Sequence, residues 1–227
     1  MTAPRRGTVA HDHFDRLLAV LILEFIIGGI TDSPVTRLAA AALYVAAVAL
    51  AVRTTGARNF RWAPQMIALG VFALAAVALA PVSGPTERGW AAVCTAVVVL
   101  GALLAVVGRV VRHRDVSLQT IAGGLCAYML IGFLFTSIYT ASDLLGAAPL
   151  FGKAVGPHTY SYFSFVTLTT TGYGDFVATT DLGRRFAVIE AMSGQIFLAT
   201  MVARLVAMFR PTRSPGQPDG PEPAERS

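Results

Sequence analysis

Six long apolar runs constrain this chain more than any other feature. Each approaches or exceeds the ~17 residues that a helix needs to cross the hydrocarbon core of a bilayer. The chain is 55% hydrophobic and only 14% charged, which leaves too little charge to cover a water-soluble domain of 227 residues. We therefore predict an all-α integral membrane protein with six transmembrane helices. The runs cover 16–31, 35–52, 64–82, 90–111, 118–140 and 186–209.

The first run also has the charge pattern of a signal peptide, because Arg5, Arg6 and Arg16 precede its apolar centre. Glu24 lies in the middle of the run, and the run has no obvious small-x-small cleavage site. These two observations favour a retained helix.

Basic residues predict the orientation of the spans, because cytoplasmic loops carry an excess of Lys and Arg. With both termini inside, thirteen of the 18 basic residues lie on the cytoplasmic side. Topology and lipid headgroups explain the net charge of +5 without nucleic acid. We expect a multi-pass protein of the cell membrane, with a cytoplasmic segment at 1–13 and a disordered cytoplasmic tail at 210–227. Seventeen Arg to one Lys, with abundant Ala, favours a bacterial source.

A long segment, 141–185, separates the fifth and sixth runs. Within it, T-Y-S-Y-F-S-F-V-T-L-T at 159–169 is apolar and aromatic, and Pro157 marks a helix start. A helix of about three turns is too short to span a bilayer. The pattern predicts a re-entrant helix followed by a loop, which is tolerated where protein shields the backbone or where it lines a water-filled path.

The loop sequence is T-T-G-Y-G-D, residues 170–175. Glycines on both sides of Tyr173 permit backbone angles that place successive carbonyls on one side of the chain. Carbonyls from several copies of such a strand can replace the water around a cation. The C-terminal end of the preceding helix adds a partial negative charge.

These residues resemble the selectivity filter of potassium channels, and 118–209 resembles the pore domain of the bacterial two-helix potassium channel family. The resemblance implies a pore domain at 116–209 in a homotetramer. It implies that potassium, the transported ion, needs no cofactor and binds at Thr170, Thr171, Gly172 and Tyr173. The implied filter carbonyls are those of Thr170, Thr171, Gly172, Tyr173 and Gly174.

The resemblance also assigns roles around the filter. Asp175 matches the acid that braces the outer mouth. Gly194 matches a hinge glycine, although close helix packing explains a glycine there equally well. The resemblance further implies that Gln195, Leu198 and Val202 face the central cavity.

Three positions depart from the family pattern. Thr171 stands where Val or Ile is usual. Phe163 replaces the Trp that would hold the Tyr173 hydroxyl, for which Thr167 is the candidate substitute. Glu190 lies one turn before Gly194 inside the sixth run, where it has either a gating role or a structural one.

The first four spans, within 14–115, lack the regularly spaced basic residues of a voltage sensor. No Lys or Arg occurs between Arg88 and Arg109 in the fourth run. We therefore expect a potassium-selective channel that is not gated by a sensor in its fourth helix. The alternatives are a non-selective monovalent cation channel, or a non-conducting membrane subunit or transporter. No catalytic constellation supports an enzyme.

Overall fold

A computed structural model of the protein describes residues 14–28, 84–112 and 118–208. This part is all-helical, as expected from the sequence, and no strand occurs in it. The expected spans at 35–52 and 64–82, the N-terminal segment 1–13 and the tail 210–227 lie outside the described residues. The helices are α1 (Phe14–Gly28), α2 (Pro85–Arg112), α3 (Leu118–Leu145), α4 (Pro157–Leu168) and α5 (Asp181–Met208).

Three of these helices are long and apolar enough to cross a membrane. The spans are Pro85–Val111 in α2, Leu118–Leu145 in α3 and Asp181–Ala207 in α5. Each helix of 28 residues is about 42 Å long at 1.5 Å per residue. The fourth, fifth and sixth apolar runs thus lie on these helices. By contrast, α4 has 12 residues and is about 18 Å long.

Local sequence sets the first turns of the helices. Glu87 accepts the Gly84 N–H at 2.7 Å, and this bond satisfies a backbone donor just before α2. The Thr180 hydroxyl accepts the Gly183 N–H at 3.2 Å at the start of α5. Pro157 lies in the first turn of α4, where its missing N–H removes no helix bond.

Helix α3 lies at the centre of the described fold and buries residues on more than one face. One cluster joins it to α1 and α2, and a second joins it to α4 and the loop before α4. The first cluster includes Phe14, Leu17, Val106, Cys126 and Leu130. The second includes Phe135, Tyr139, Phe151, Tyr160 and Phe163.

The loop between α3 and α4 is held at both ends. Asp143, in the last turn of α3, accepts hydrogen bonds from the Leu150 N–H and the Tyr160 hydroxyl. Burial and the bond to Asp143 raise the pKa of Tyr160. The Thr179 N–H donates to the Leu150 carbonyl at 2.8 Å. This loop therefore connects the start of α4 to the chain that leads into α5.

Candidate functional site

Residues 169–175 follow α4 and are called the filter segment here, after the resemblance of their sequence. The first four amides of this segment turn back toward α4. Four successive N–H groups, from Thr169 to Gly172, donate to carbonyls in the last turn of α4 over 2.9–3.3 Å. Because the N–H and C=O of a trans peptide point in opposite directions, the carbonyls of Thr170 and Thr171 are directed away from α4. The accepting carbonyls are those of Phe165, Val166 and Thr167.

Backbone angles alternate along the same segment. Thr170, Gly172 and Gly174 have φ of 56°, 57° and 80°, whereas Thr171 and Tyr173, which lie between them, do not have positive φ. Among the described residues, Thr170 is the one non-glycine with a positive φ. A positive φ at a residue other than glycine indicates a conformation that its surroundings impose. The two glycines therefore occupy positions where a side chain would be strained.

A chain of hydroxyl groups supports the segment on the side of α4. Thr169 Oγ1 donates to the Phe165 carbonyl at 2.7 Å. Thr171 Oγ1 lies 2.9 Å from Thr169 Oγ1. Since the Thr169 hydrogen is already used, Thr171 is the donor in this second bond. The Thr171 hydroxyl, which the sequence marked as a departure, thus connects the filter segment to the end of α4 through Thr169.

Tyr162 is the aromatic side chain beside Tyr173. The two rings are stacked, with centroids 6.4 Å apart and an angle of 7° between their planes. Interaction with the Asp175 carboxylate is the main reason why the pKa of the Tyr162 hydroxyl is raised. Sequence reasoning missed Tyr162, although it lies next to Phe163 in the aromatic run.

Phe163 and Thr167 both lie on α4, and the filter-support role that the resemblance gives them stays a prediction. Phe163 is buried, and its ring packs edge-on against Tyr139 and Phe151 at 5.0 and 5.1 Å. One residue along a helix is a rotation of about 100°, so Phe163 faces α3 when Tyr162 faces the filter segment. The Thr167 backbone carbonyl accepts the Thr170 N–H at 2.9 Å.

Residues of α5 that were expected to face a cavity share an exposed face. Gln195, Leu198 and Val202 follow the spacing of one helix face, and all three are exposed. Gln195 Nε2 donates to Thr170 Oγ1 at 3.2 Å. The structure therefore brings the inner end of the filter segment and this face of α5 together. Glu190 is not on that face, because it is fully buried between α3, α4 and α5.

Gly194 contacts the last residue of α4. A Cβ atom at this position would overlap the Leu168 carbonyl oxygen and lie 2.9 Å from Leu168 Cδ1. The same carbonyl accepts a hydrogen bond from the Tyr128 hydroxyl at 3.2 Å. A glycine at 194 is therefore needed for close packing of α5 on α4, whatever further role it has.

The oxygen atoms of this site suit a hard cation. Backbone carbonyls at Thr170 and Thr171, directed away from α4, are ligands of the type that alkali and alkaline-earth cations prefer. The carbonyl end of α4 contributes a partial negative charge nearby. Within the described ranges, no group of three His, Cys, Asp or Glu side chains could hold a metal ion.

Comparison with known proteins places this site in a recognised kind of domain. Residues 152–210, which include α4, the filter segment and α5, match a protein-family model described as "Ion channel". No curated protein and no solved structure matches the chain. The family match and the candidate spans together indicate an ion channel domain in a multi-pass membrane protein.

Proposed function

We propose that this chain is the pore-forming subunit of a potassium-selective channel that conducts ions passively down their gradient. In this proposal, α4 is a re-entrant pore helix, and the carbonyls of Thr170 to Gly174 replace the hydration shell of the ion. The observation that carries it is the alternation of positive φ at Thr170, Gly172 and Gly174, together with amides that turn toward α4.

The working form is proposed to be a homotetramer. One chain supplies one strand of carbonyls, and several strands are needed to surround an ion. The single chain leaves Tyr173 71% exposed and also exposes apolar side chains along α5, such as Met192 and Ile196. Symmetric packing around a central axis would cover these surfaces. Both termini would lie in the cytoplasm of a six-span subunit.

The deciding experiment is a reversal potential for the full chain in a planar lipid bilayer, with potassium on one side and sodium on the other. A value close to the potassium equilibrium potential supports the proposal. A value near zero would favour a non-selective cation pore. No current at any pH or membrane tension would favour a non-conducting subunit.

The variant Gly174→Ser tests the assignment of the filter in the same experiment. Gly174 has φ of +80°, which L side chains rarely adopt, but no atom in the described part of a single chain lies within 4 Å of the added Cβ. We expect this variant to assemble and to lose potassium selectivity because the backbone is strained. Unchanged selectivity in Gly174→Ser would contradict the assignment of the filter.

A further inference from the structure

A buried cluster of polar side chains joins α3, α4 and α5 behind the filter segment. Glu190 of α5 is 0% exposed, and Ser164 of α4 and Tyr139 of α3 are equally buried. Tyr139 Oη donates to Glu190 Oε2 at 2.6 Å. Ser164 Oγ lies 2.5 Å from Glu190 Oε1 and 2.7 Å from the Gly132 carbonyl oxygen. Both carboxyl oxygens are thus bonded to hydroxyl groups.

The number of hydrogens available in this cluster determines whether an ionised or a neutral Glu190 carboxyl group fits. A serine hydroxyl has one hydrogen, and a carbonyl oxygen can only accept. One hydrogen shared between two acceptors would lengthen both contacts, but both are as short as an ordinary O–H···O bond or shorter. If Ser164 donates to Gly132, the contact with Glu190 requires a hydrogen on the carboxyl group. Only the neutral acid places a hydrogen in all three contacts.

The groups around Glu190 agree with this count. From α3, the titratable side chains that face it are Tyr139 and Tyr128, which are neutral hydroxyl groups. From α4, the facing polar group is Ser164. A buried carboxylate needs a cation or several donors to offset the loss of water. Its two bonded partners carry no positive charge.

The helix faces that carry this cluster also carry the contacts next to the filter segment. Ser164 and Leu168 are four residues apart on α4, and Glu190 and Gly194 are four residues apart on α5, so each pair shares a helix face. Glu190 bonds Ser164, and Gly194 packs against Leu168. One residue further along α5, Gln195 bonds Thr170 of the filter segment.

We infer that Glu190 is a protonated carboxylic acid that donates to Ser164, and that this bond sets the position of α4 and hence of the filter segment. Glu190 is therefore a positioning residue. The inference goes beyond the proposed function, because it concerns a proton and a helix contact and does not require potassium selectivity.

Infrared spectroscopy of the full protein in lipid at neutral pH tests the proton directly. A protonated carboxyl group absorbs as a C=O stretch, whereas a carboxylate absorbs as a pair of C–O stretches. We expect the wild-type minus Glu190→Gln difference spectrum to contain a carboxylic-acid band. Loss of carboxylate bands instead would overturn the inference. Glu24→Gln, at another acid within a helix, is the control that separates the two acids.

Stability measurements test the helix contact. Gln offers an N–H donor for Ser164 and a carbonyl acceptor for Tyr139, as the neutral acid does, so Glu190→Gln should unfold close to wild type. Glu190→Ala should lower the ratio of folded to unfolded protein by roughly 5- to 30-fold, because it leaves buried partners unpaired. Equal destabilisation by Gln and Ala would indicate an ionised group and refute the inference.

Two serines of α4 form a matched pair for the same measurement. Ser164→Ala removes the acceptor of the Glu190 hydrogen, and we expect a loss of the same order as for Glu190→Ala. Among the described residues, Ser161 Oγ bonds the His158 carbonyl within its own helix and reaches no other helix, so Ser161→Ala should unfold like wild type. Ser164→Ala that also unfolds like wild type would contradict the role of this contact. These variants need no ion current, so their result is separate from the test of selectivity.

Discussion

At the scale of single residues, the backbone carbonyls and the side-chain hydroxyls of the filter segment point in different directions and have different roles. The carbonyls of Thr170 and Thr171 are directed away from α4, whereas the hydroxyls of Thr169 and Thr171 bond one another on the side of α4. Binding of an ion by these carbonyls therefore does not require the Thr171 hydroxyl. That hydroxyl contributes to the stability of the segment.

Thr171→Val tests this separation. The substitution keeps the shape of the side chain and removes one hydrogen bond, and Thr169 retains its bond to Phe165. We expect stability to fall by about 1 kcal/mol or less, with an unchanged reversal potential between potassium and sodium. Thermal unfolding and bilayer recording measure the two quantities. A large loss of selectivity would show that the hydroxyl itself contributes to ion binding.

At the scale of elements, the end of α4 is held by both neighbouring helices. Tyr128 of α3 donates to the Leu168 carbonyl, and Gly194 of α5 packs against the same atom. The filter segment begins one residue later, so the packing of α4 determines where this segment begins. Small changes in this packing should therefore shift the proposed ion site.

Gly194→Ala is the sharpest test of that packing. The added methyl group would overlap the Leu168 carbonyl oxygen, so α5 or α4 must shift, and we expect a cost of about 1–3 kcal/mol in the free energy of unfolding. Gly108→Ala in α2 is the control, because its Cβ would meet nothing within 4 Å among the described residues. Helix propensity should make this control more stable by up to about 1 kcal/mol.

The two variants also bear on the alternative role of Gly194 as a hinge. A hinge would tolerate the methyl group in one state of the channel and would mainly change the open probability. If Gly194→Ala unfolds like Gly108→Ala while its open probability falls, packing is not the reason for this glycine. Single-channel recording alongside chemical unfolding distinguishes these results.

Elements were easier to predict from the sequence than their contacts. Apolar runs located α2, α3 and α5, and Pro157 located the start of α4, because hydropathy and proline act locally. The bounds differ at polar ends: α5 begins at Asp181, not near 186, since Thr180 and charged residues form its first turn. Glu190 was noticed, but its partners Ser164 and Tyr139 depend on how three helices are rotated. Sequence spacing alone does not give that rotation.

At the scale of the whole molecule, the described chain exposes its filter segment and much of α5. Within the described part of one chain, only 11% of the most apolar 18-residue stretch of α5 is buried. A homotetramer would place four copies of Thr170 to Gly174 around one axis and would cover part of this surface. Function would then depend on every subunit in the ring.

Co-assembly of wild-type and Gly174→Ser chains tests the number of subunits. If one altered strand is enough to disturb the ring of carbonyls, the fraction of fully selective channels falls as the fourth power of the wild-type fraction. Single-channel recordings at several mixing ratios measure this dependence. A linear dependence would mean that each chain conducts alone, and a square dependence would indicate a dimer. Co-expression with Ser161→Ala, which leaves the filter intact, is the control for expression level.

The assembled channel should respond only weakly to voltage. Each elementary charge that crosses the membrane field contributes about 2.3 kcal/mol per 100 mV, so steep gating needs several charges within a moving helix. In α2, basic residues occur at Arg88 near one end and at Arg109 and Arg112 near the other. A helix charged only at its ends has little charge to move through the field. We expect the voltage dependence of the open probability to correspond to a gating charge of less than about one elementary charge per subunit. Gating currents equivalent to several charges per subunit would require a sensor outside α2.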